Sequence, residues 1–303
     1  DTVRLFILFA AQPTAGMDWS DTGLQANHRQ ILQLVEMPET IIGWSGGSSS
    51  IDAWLKARMK QRFAEWTKAM DSYDLRRAVE ISHFEIIKDI NWYQRRGGAD
   101  AELGRWLLEQ WTHMIQAATP HLAEDWWQQL GGSDLLASRV FQGPGLLSAE
   151  DQRAIDDEMY LRIVLDEARE RKQLAMRHLE AAPTNLIIQT TEGWKMDLAI
   201  SGISFQLDGG DVKKFSKVIE TKPYAQGEMR GEVIKLWRKR MLPMVFKWSD
   251  IHKALLLNGL DESEVINSAA GFLAAELEVE SVECSQAEES SPAFPLKPSV
   301  LYQ

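Results

Sequence analysis

A single cysteine in 303 residues, Cys284, excludes a disulfide framework and any thiolate-rich zinc site. The six histidines show none of the paired spacings of zinc sites, so the reading assigns no metal. No apolar run approaches the roughly 18 residues of a membrane span. The opening Asp1-Thr2-Val3-Arg4-Leu5-Phe6 lacks the order of a signal peptide. A soluble, cytoplasmic chain without a membrane partner is therefore expected. Nucleotide signatures are also missing. Ser45-Gly46-Gly47-Ser48-Ser49-Ser50 lacks the lysine and preceding strand of a phosphate loop and reads as loop or linker, and the isolated glycines match no dinucleotide fingerprint. A nucleophile, base and orienter cannot be assembled on spacing alone, so no catalytic residue is assigned. The residues by themselves point to a binding or scaffold module.

What is present is helical period. The chain opens directly on Val3, Leu5, Phe6, Leu8 and Phe9, an apolar helical pattern without an initiating methionine, and reads as a piece of a longer polypeptide. Ser50 is placed to cap a helix whose Ile51, Trp54, Leu55, Met59, Phe63, Trp66 and Met70 recur at spacings of three and four. Residues 74–96 and 99–118 follow the same pattern, the first stopped by Gly97-Gly98. Thr119-Pro120 restarts a helix, with proline where its missing N–H is no loss. Ser148 and Glu150-Asp151 open a long helix reaching about residue 182, before Pro183.

After Pro183 the pattern changes. Leu186-Ile187-Ile188 is strand-like, Gly202 and Gly209-Gly210 read as turns, and two or three short helices are expected between residues 211 and 275. Residues 277–284 alternate apolar and acidic side chains as a half-buried strand would, 285–291 read as a mobile loop, and 293–302 as an edge strand. The predicted fold is mainly α. A helical bundle is followed by a small α+β domain, with boundaries at 1–20, 21–182 and 183–303.

Charge is unevenly placed. Residues 211–253 carry 11 Lys or Arg against 5 Asp or Glu, whereas 1–210 carry 21 against 30 and 254–303 carry 1 against 9, together the net -11. A phosphate backbone is attracted by the local field, not by the total, so this segment is a candidate interaction footprint; a solvated helical face is the alternative. Most of the 12 tryptophans sit at helical spacing beside Leu, Ile and Met and read as core, base stacking being the other use of such rings. Arg95-Arg96 either complement the carbonyl end of a helix before Gly97 or offer two guanidiniums to phosphate.

Three segments carry a resemblance. Asp1-Thr2-Val3-Arg4-Leu5-Phe6, with Phe9-Ala10-Ala11 and Met17-Asp18-Trp19-Ser20, resembles the end of the catalytic region in class I aminoacyl-tRNA synthetases of the leucine/isoleucine/valine group. Asn91-Trp92-Tyr93-Gln94-Arg95-Arg96 and Thr119-Pro120-His121-Leu122-Ala123-Glu124 are similar to two marked helices of that group's anticodon-binding bundle. Asp261-Glu262-Ser263-Glu264, the helix through Phe272-Leu273, residues 277–282 and Phe294-Pro295-Leu296-Lys297-Pro298-Ser299-Val300 resemble the C-terminal domain of archaeal/eukaryotic-type leucyl-tRNA synthetases. The chain ends Tyr302-Gln303 where that family commonly ends in an aliphatic-acidic pair.

The resemblance implies a leucine–tRNA ligase whose catalytic signatures and editing insertion lie upstream of Asp1. ATP and Mg would serve the full-length enzyme, and this portion would need no cofactor. The partners it implies are leucine tRNA, held on the inner side of the L and at its long variable arm, and the upstream catalytic and editing domains. Lys213, Lys214 and Lys217 fall near one helical face, as do Lys235, Arg238 and Lys239, with Arg240 beside them. These seven, Arg95 and Arg96, and the terminal Val300, Leu301, Tyr302 and Gln303 are the expected RNA contacts. The rival readings are the same half of an isoleucyl- or valyl-type enzyme, reading the anticodon, and a helical adaptor without RNA.

Overall fold

The computed structural model describes residues 1–11, 16–177, 183–211, 214–287 and 291–303. The chain divides into two compact units, Asp1–Ile155 and Asp156–Gln303. The first holds α1 (Thr2–Ala10), α2 (Asp21–Ile42), α3 (Asp52–Asp71), α4 (Leu75–Glu80), α5 (Ile86–Arg95), α6 (Ala101–Ile115), α7 (Pro120–Gln129) and the start of α8 (Ala149–Ala175). The rest of α8 belongs to the second unit, with β1 (Asn185–Thr190), α9 (Gly193–Leu207), α10 (Phe215–Ile219), α11 (Met229–Leu236), α12 (Leu242–Lys247), α13 (Asp250–Leu257), α14 (Glu262–Ser268), α15 (Ala270–Leu277), β2 (Ser281–Gln286) and β3 (Ser299–Tyr302). The architecture is mainly helical, a bundle followed by an α+β unit.

In the first unit, backbone irregularity supplies partners for buried tryptophans. Pro38 lies inside α2 and has no N–H for the carbonyl of Leu34, four residues earlier. That carbonyl instead accepts the indole N–H of buried Trp126 at 3.1 Å. Between α4 and α5 the helix widens into one π turn, Ile81–Glu85, and the Ser82 carbonyl there accepts the indole N–H of Trp111 at 2.6 Å. The two rings meet edge to face with centroids 4.8 Å apart. Thr119 does precede α7 with Pro120 in its first turn, yet its hydroxyl donates to the Ile115 carbonyl and meets His83 Nε2 at 3.0 Å, leaving the helix without a side-chain cap. The cap expected from Ser50 is also absent, because the cap position of α3 falls one residue on, at Ile51, which has no side-chain acceptor. There Ser49 donates its N–H and hydroxyl to the carboxylate of Asp52, at 2.8 and 2.7 Å.

In the second unit the sheet order is β2-β1-β3, with β1 parallel to β2 and antiparallel to β3. A parallel pair needs a crossover, and α9 to α15 provide it. Leu186, Ile188 and Thr190 of β1 face inward, and Tyr160, Leu161, Val164, Leu165 and Ala168 form the buried stripe of α8 in this unit. Four expectations are corrected here. Gly202 is no turn: it lies within α9, where a Cβ would sit 2.1 Å from the Trp237 ring, so glycine is needed for close packing. Six helices, not two or three, fill the segment from residue 215 to 277, because short helices packed on one core need little periodicity of their own. Leu277 ends α15, Glu278 turns in the left-handed region at φ 50°, and the strand begins only at Ser281. The long helix α8 ends at Ala175; its expected extension over 178–182 lies outside the described residues, as do residues 288–290 of the expected loop, while 285 and 286 belong to β2.

Candidate nucleic-acid interface

The basic segment is organised around two buried rings. Phe215, at the start of α10, and Trp237 lie with centroids 4.5 Å apart, and Phe215 meets Phe205 of α9 at 5.4 Å. Burying that face turns Lys214 and Lys217 outward into solvent. After α11 the helix widens into a second π turn, Trp237–Met241, which carries Arg238, Lys239 and Arg240. Arg238 donates from Nη2 to the Ser216 hydroxyl at 2.8 Å and so joins Lys214 and Lys217 in one place. With Phe246, which is 53% exposed, Arg238 also lines a cavity of about 730 Å³. A guanidinium beside an open ring suits a phosphate and its base.

The structure does not keep Arg240 with Arg238. The π turn changes the angular step per residue, so spacings read on a 3.6-residue helix no longer fix a shared face. Arg240 lines a separate cavity with Trp194, Lys195 and Phe294. Lys235 and Lys239 are exposed. Lys213 lies outside the described residues.

Two other cations of the segment are neutralised at home. Lys222 pairs with Asp197 at 2.8 Å, and Arg230 with Glu220 at 2.6 Å. Burial alone would raise the Asp197 carboxyl, but the bonds from Lys222 and from Tyr224, whose hydroxyl donates at 2.6 Å, hold it below the usual range. Lys214, Lys217, Lys235, Lys239 and Arg240 form no ion pair with a described acidic side chain.

Arg95 and Arg96 lie in the first unit, at the end of α5. The Arg95 guanidinium sits 5.5 Å over the Trp92 ring, and Gly97 at φ 86° ends the helix. The following loop is pinned by Tyr93, whose hydroxyl donates to Asp52 at 2.7 Å and accepts the Asp100 N–H at 3.1 Å. Burial and the charge of Asp52 push the Tyr93 hydroxyl well above its ordinary value.

The terminal residues form a strand. Ser299 to Tyr302 pair with Gln189 to Leu186, and the Gln303 carbonyl accepts the N–H groups of Thr184 and Asn185 at 2.8 and 3.0 Å. Val300 is buried, and the Tyr302 hydroxyl donates to the Ala168 carbonyl at 2.9 Å, its proton held to about 12 by burial. Leu301, 47% exposed, and Gln303 keep side chains outside. The role of Glu262 is not legible in the sequence, where it stands only within Asp261-Glu262-Ser263-Glu264. Its two oxygens accept the N–H groups of Thr191 at 3.1 Å and Leu296 at 2.7 Å, fixing the segment that leads into β3. Leu296 is left-handed at φ 60°, and burial raises the Glu262 carboxyl despite both donors.

Among the described residues no group of three or more His, Cys, Asp or Glu could hold a metal ion, and no helix is long and apolar enough to cross a membrane. Residues 52–183 match the anticodon-binding domain of tRNA ligases, which defines the class of the helical part. The chain as a whole is similar to archaeal leucine–tRNA ligases. It is 27% identical to that of Methanosarcina mazei over 99% of this chain and 32% of the relative, and 27% identical to that of Archaeoglobus fulgidus over 99% and 30%. Identity to the Methanothrix thermoacetophila ligase is 30%, over 65% of this chain and 20% of the relative. The similarity to leucine–tRNA ligases runs along nearly the whole chain, which spans about a third of the length of these curated relatives.

Proposed function

We propose that the chain is the tRNA-holding C-terminal part of a cytoplasmic enzyme that joins leucine to its tRNA using ATP and Mg. In this reading leucine activation belongs to a catalytic domain upstream of Asp1, with an editing domain also upstream. The helical bundle, residues 21–182 in this reading, supports the inner side of the L with Arg95 and Arg96 at its phosphates. The α+β domain, residues 183–303, reaches the long variable arm through Lys213, Lys214, Lys217, Lys235, Arg238, Lys239 and Arg240. The strand end, Val300 to Gln303, stands beside it.

The observation that carries this reading is the joint occurrence of an anticodon-binding domain over 52–183 and exposed cations in the unit that follows it. RNA is held by phosphate contact and shape, which such a surface provides without a catalytic group. The test is a binding comparison between leucine tRNA and a tRNA lacking a long variable arm. Tighter binding of leucine tRNA is expected. Equal affinities would remove the variable arm from the reading, and absence of any RNA binding would remove tRNA.

A further inference from the structure

The cavity that takes Arg240 away from Arg238 has a chemistry of its own. It encloses about 570 Å³ and draws its walls from the start of α9, from α11 with its π turn, and from the segment leading into β3. Two planar side chains, Trp194 and Phe294, contribute to the lining. The ammonium of Lys195 lies 5.6 Å from both ring centroids. Lys195 is only 5% exposed, and among the described residues its ion pair is with Glu192, at 2.6 Å. A lysine ammonium has three donors, more than one carboxylate oxygen can take up, so it can also serve an acceptor in the cavity. Glu192 is itself committed, with its other oxygen accepting the Trp194 indole N–H. Glu232, exposed on α11, supplies a carboxylate acceptor to the same lining, and Arg240 adds a guanidinium from the basic surface.

We propose that this cavity takes one unstacked guanine base of the bound RNA. Resting on the reading of this chain as an RNA-binding part, the assignment follows from matching edges. The Watson–Crick edge of guanine presents an oxygen acceptor followed by two N–H donors. Lys195 can donate to that oxygen, and Glu232 can accept from the N–H groups, while Trp194 and Phe294 supply apolar walls. Adenine offers a donor where Lys195 also donates. Uracil lacks the second N–H for a carboxylate. Arg240 would meet the phosphate of the same nucleotide.

The test uses the 303-residue chain and RNA hairpins identical but for one unpaired loop nucleotide: guanosine, inosine, which lacks the exocyclic amino group, or adenosine. Guanosine RNA should bind about tenfold tighter than adenosine RNA, with inosine between, the scale of one charge-assisted hydrogen bond. Glu232→Gln replaces an exposed side chain and leaves the core intact; it should remove most of the preference of guanosine over inosine. Lys195→Met should remove the preference over adenosine, with circular dichroism checking that its buried neighbours stay folded. Equal, salt-sensitive affinity for all three hairpins overturns the guanine site and leaves the RNA-binding reading standing. Failure to bind the hairpins and leucine tRNA alike overturns both. A Glu232→Gln chain with undiminished guanosine preference overturns the assigned edge.

Discussion

In the unit Asp1–Ile155, Arg58, Arg62 and Arg77 end on carboxylates, whereas in the unit Asp156–Gln303 Lys214, Lys217, Lys235 and Lys239 end in solvent. Asp89, 4% exposed, receives Arg58 at 3.2 Å and Arg62 at 2.8 Å. Glu85 receives Arg62 and Arg77, and Glu65 receives Arg77 at 3.2 Å. Burial raises the Glu85 carboxyl, yet the two guanidiniums hold it below its ordinary range. Cations held this way order the bundle and have little left for a phosphate. Lys214, Lys217, Lys235 and Lys239, which form no ion pair with a described carboxylate, keep their field for a partner. Charge counts alone do not distinguish these uses; the position of the acid does.

The largest effect should come from removing the carboxylate that two arginines share. Asp89→Ala leaves Arg58 and Arg62 facing a buried gap and should cost about 3–5 kcal/mol in urea denaturation. Wherever the variant is still folded, its RNA binding should keep the wild-type salt slope. A changed slope would mean that Arg58 or Arg62 also meets phosphate, and the comparison would fail.

In the second unit the matching stress is steric. Gly202→Ala drives a methyl group against Trp237, the ring beneath the cation surface, and should cost about 1–3 kcal/mol while loosening Arg238 from Ser216. An unchanged urea midpoint would show that the ring can retreat.

The smallest expected effect is in pH. Burial drives the His83 imidazole down to about 3, from 6.5 when unhindered. The unfolded chain therefore binds the extra proton between these values, and the contribution of neutral His83 is full above 6.5 and lost as pH falls toward 3. From pH 6.5 to 5.5 the loss is below about 1.4 kcal/mol, the limit for one proton. Glu85 and Asp52 add to it only lower down: burial raises each, but Arg77 with Arg62, and Tyr93 with Ser49, bring them below their ordinary range. Glu262 in the second unit has the opposite sign. Its raised carboxyl contributes most when protonated, and that contribution falls as pH rises through its folded value. Urea midpoints from pH 7 to 5 for wild type and His83→Gln check this: the wild-type decline should be the steeper.

The fold was legible where period and punctuation agree. Leu186 to Ile188 read as a strand and became the core of β1, and Thr119-Pro120 opened α7. It was illegible where a distant group decides. Gly202 looks like a turn until Trp237, 35 residues on, presses against it. Leu277, Val279 and Val282 alternate as a strand would, yet Leu277 is claimed by the core that closes α15. The surface cations of 211–253 stood out in composition, while Trp194, Lys195 and Phe294 gave no local signal, since three segments far apart in sequence make their cavity. The Arg62–Asp89 pairing, 27 residues apart, is equally silent.

The most direct measurement is the salt dependence of leucine tRNA binding by the wild-type chain and by Lys214→Glu/Lys217→Glu. If these lysines meet phosphates, the variant should bind more weakly, and the log–log slope should flatten by roughly 0.7–0.9 for each lost contact. Unchanged affinity and slope would contradict the account and return the exposed cations of the second unit to a solvated face.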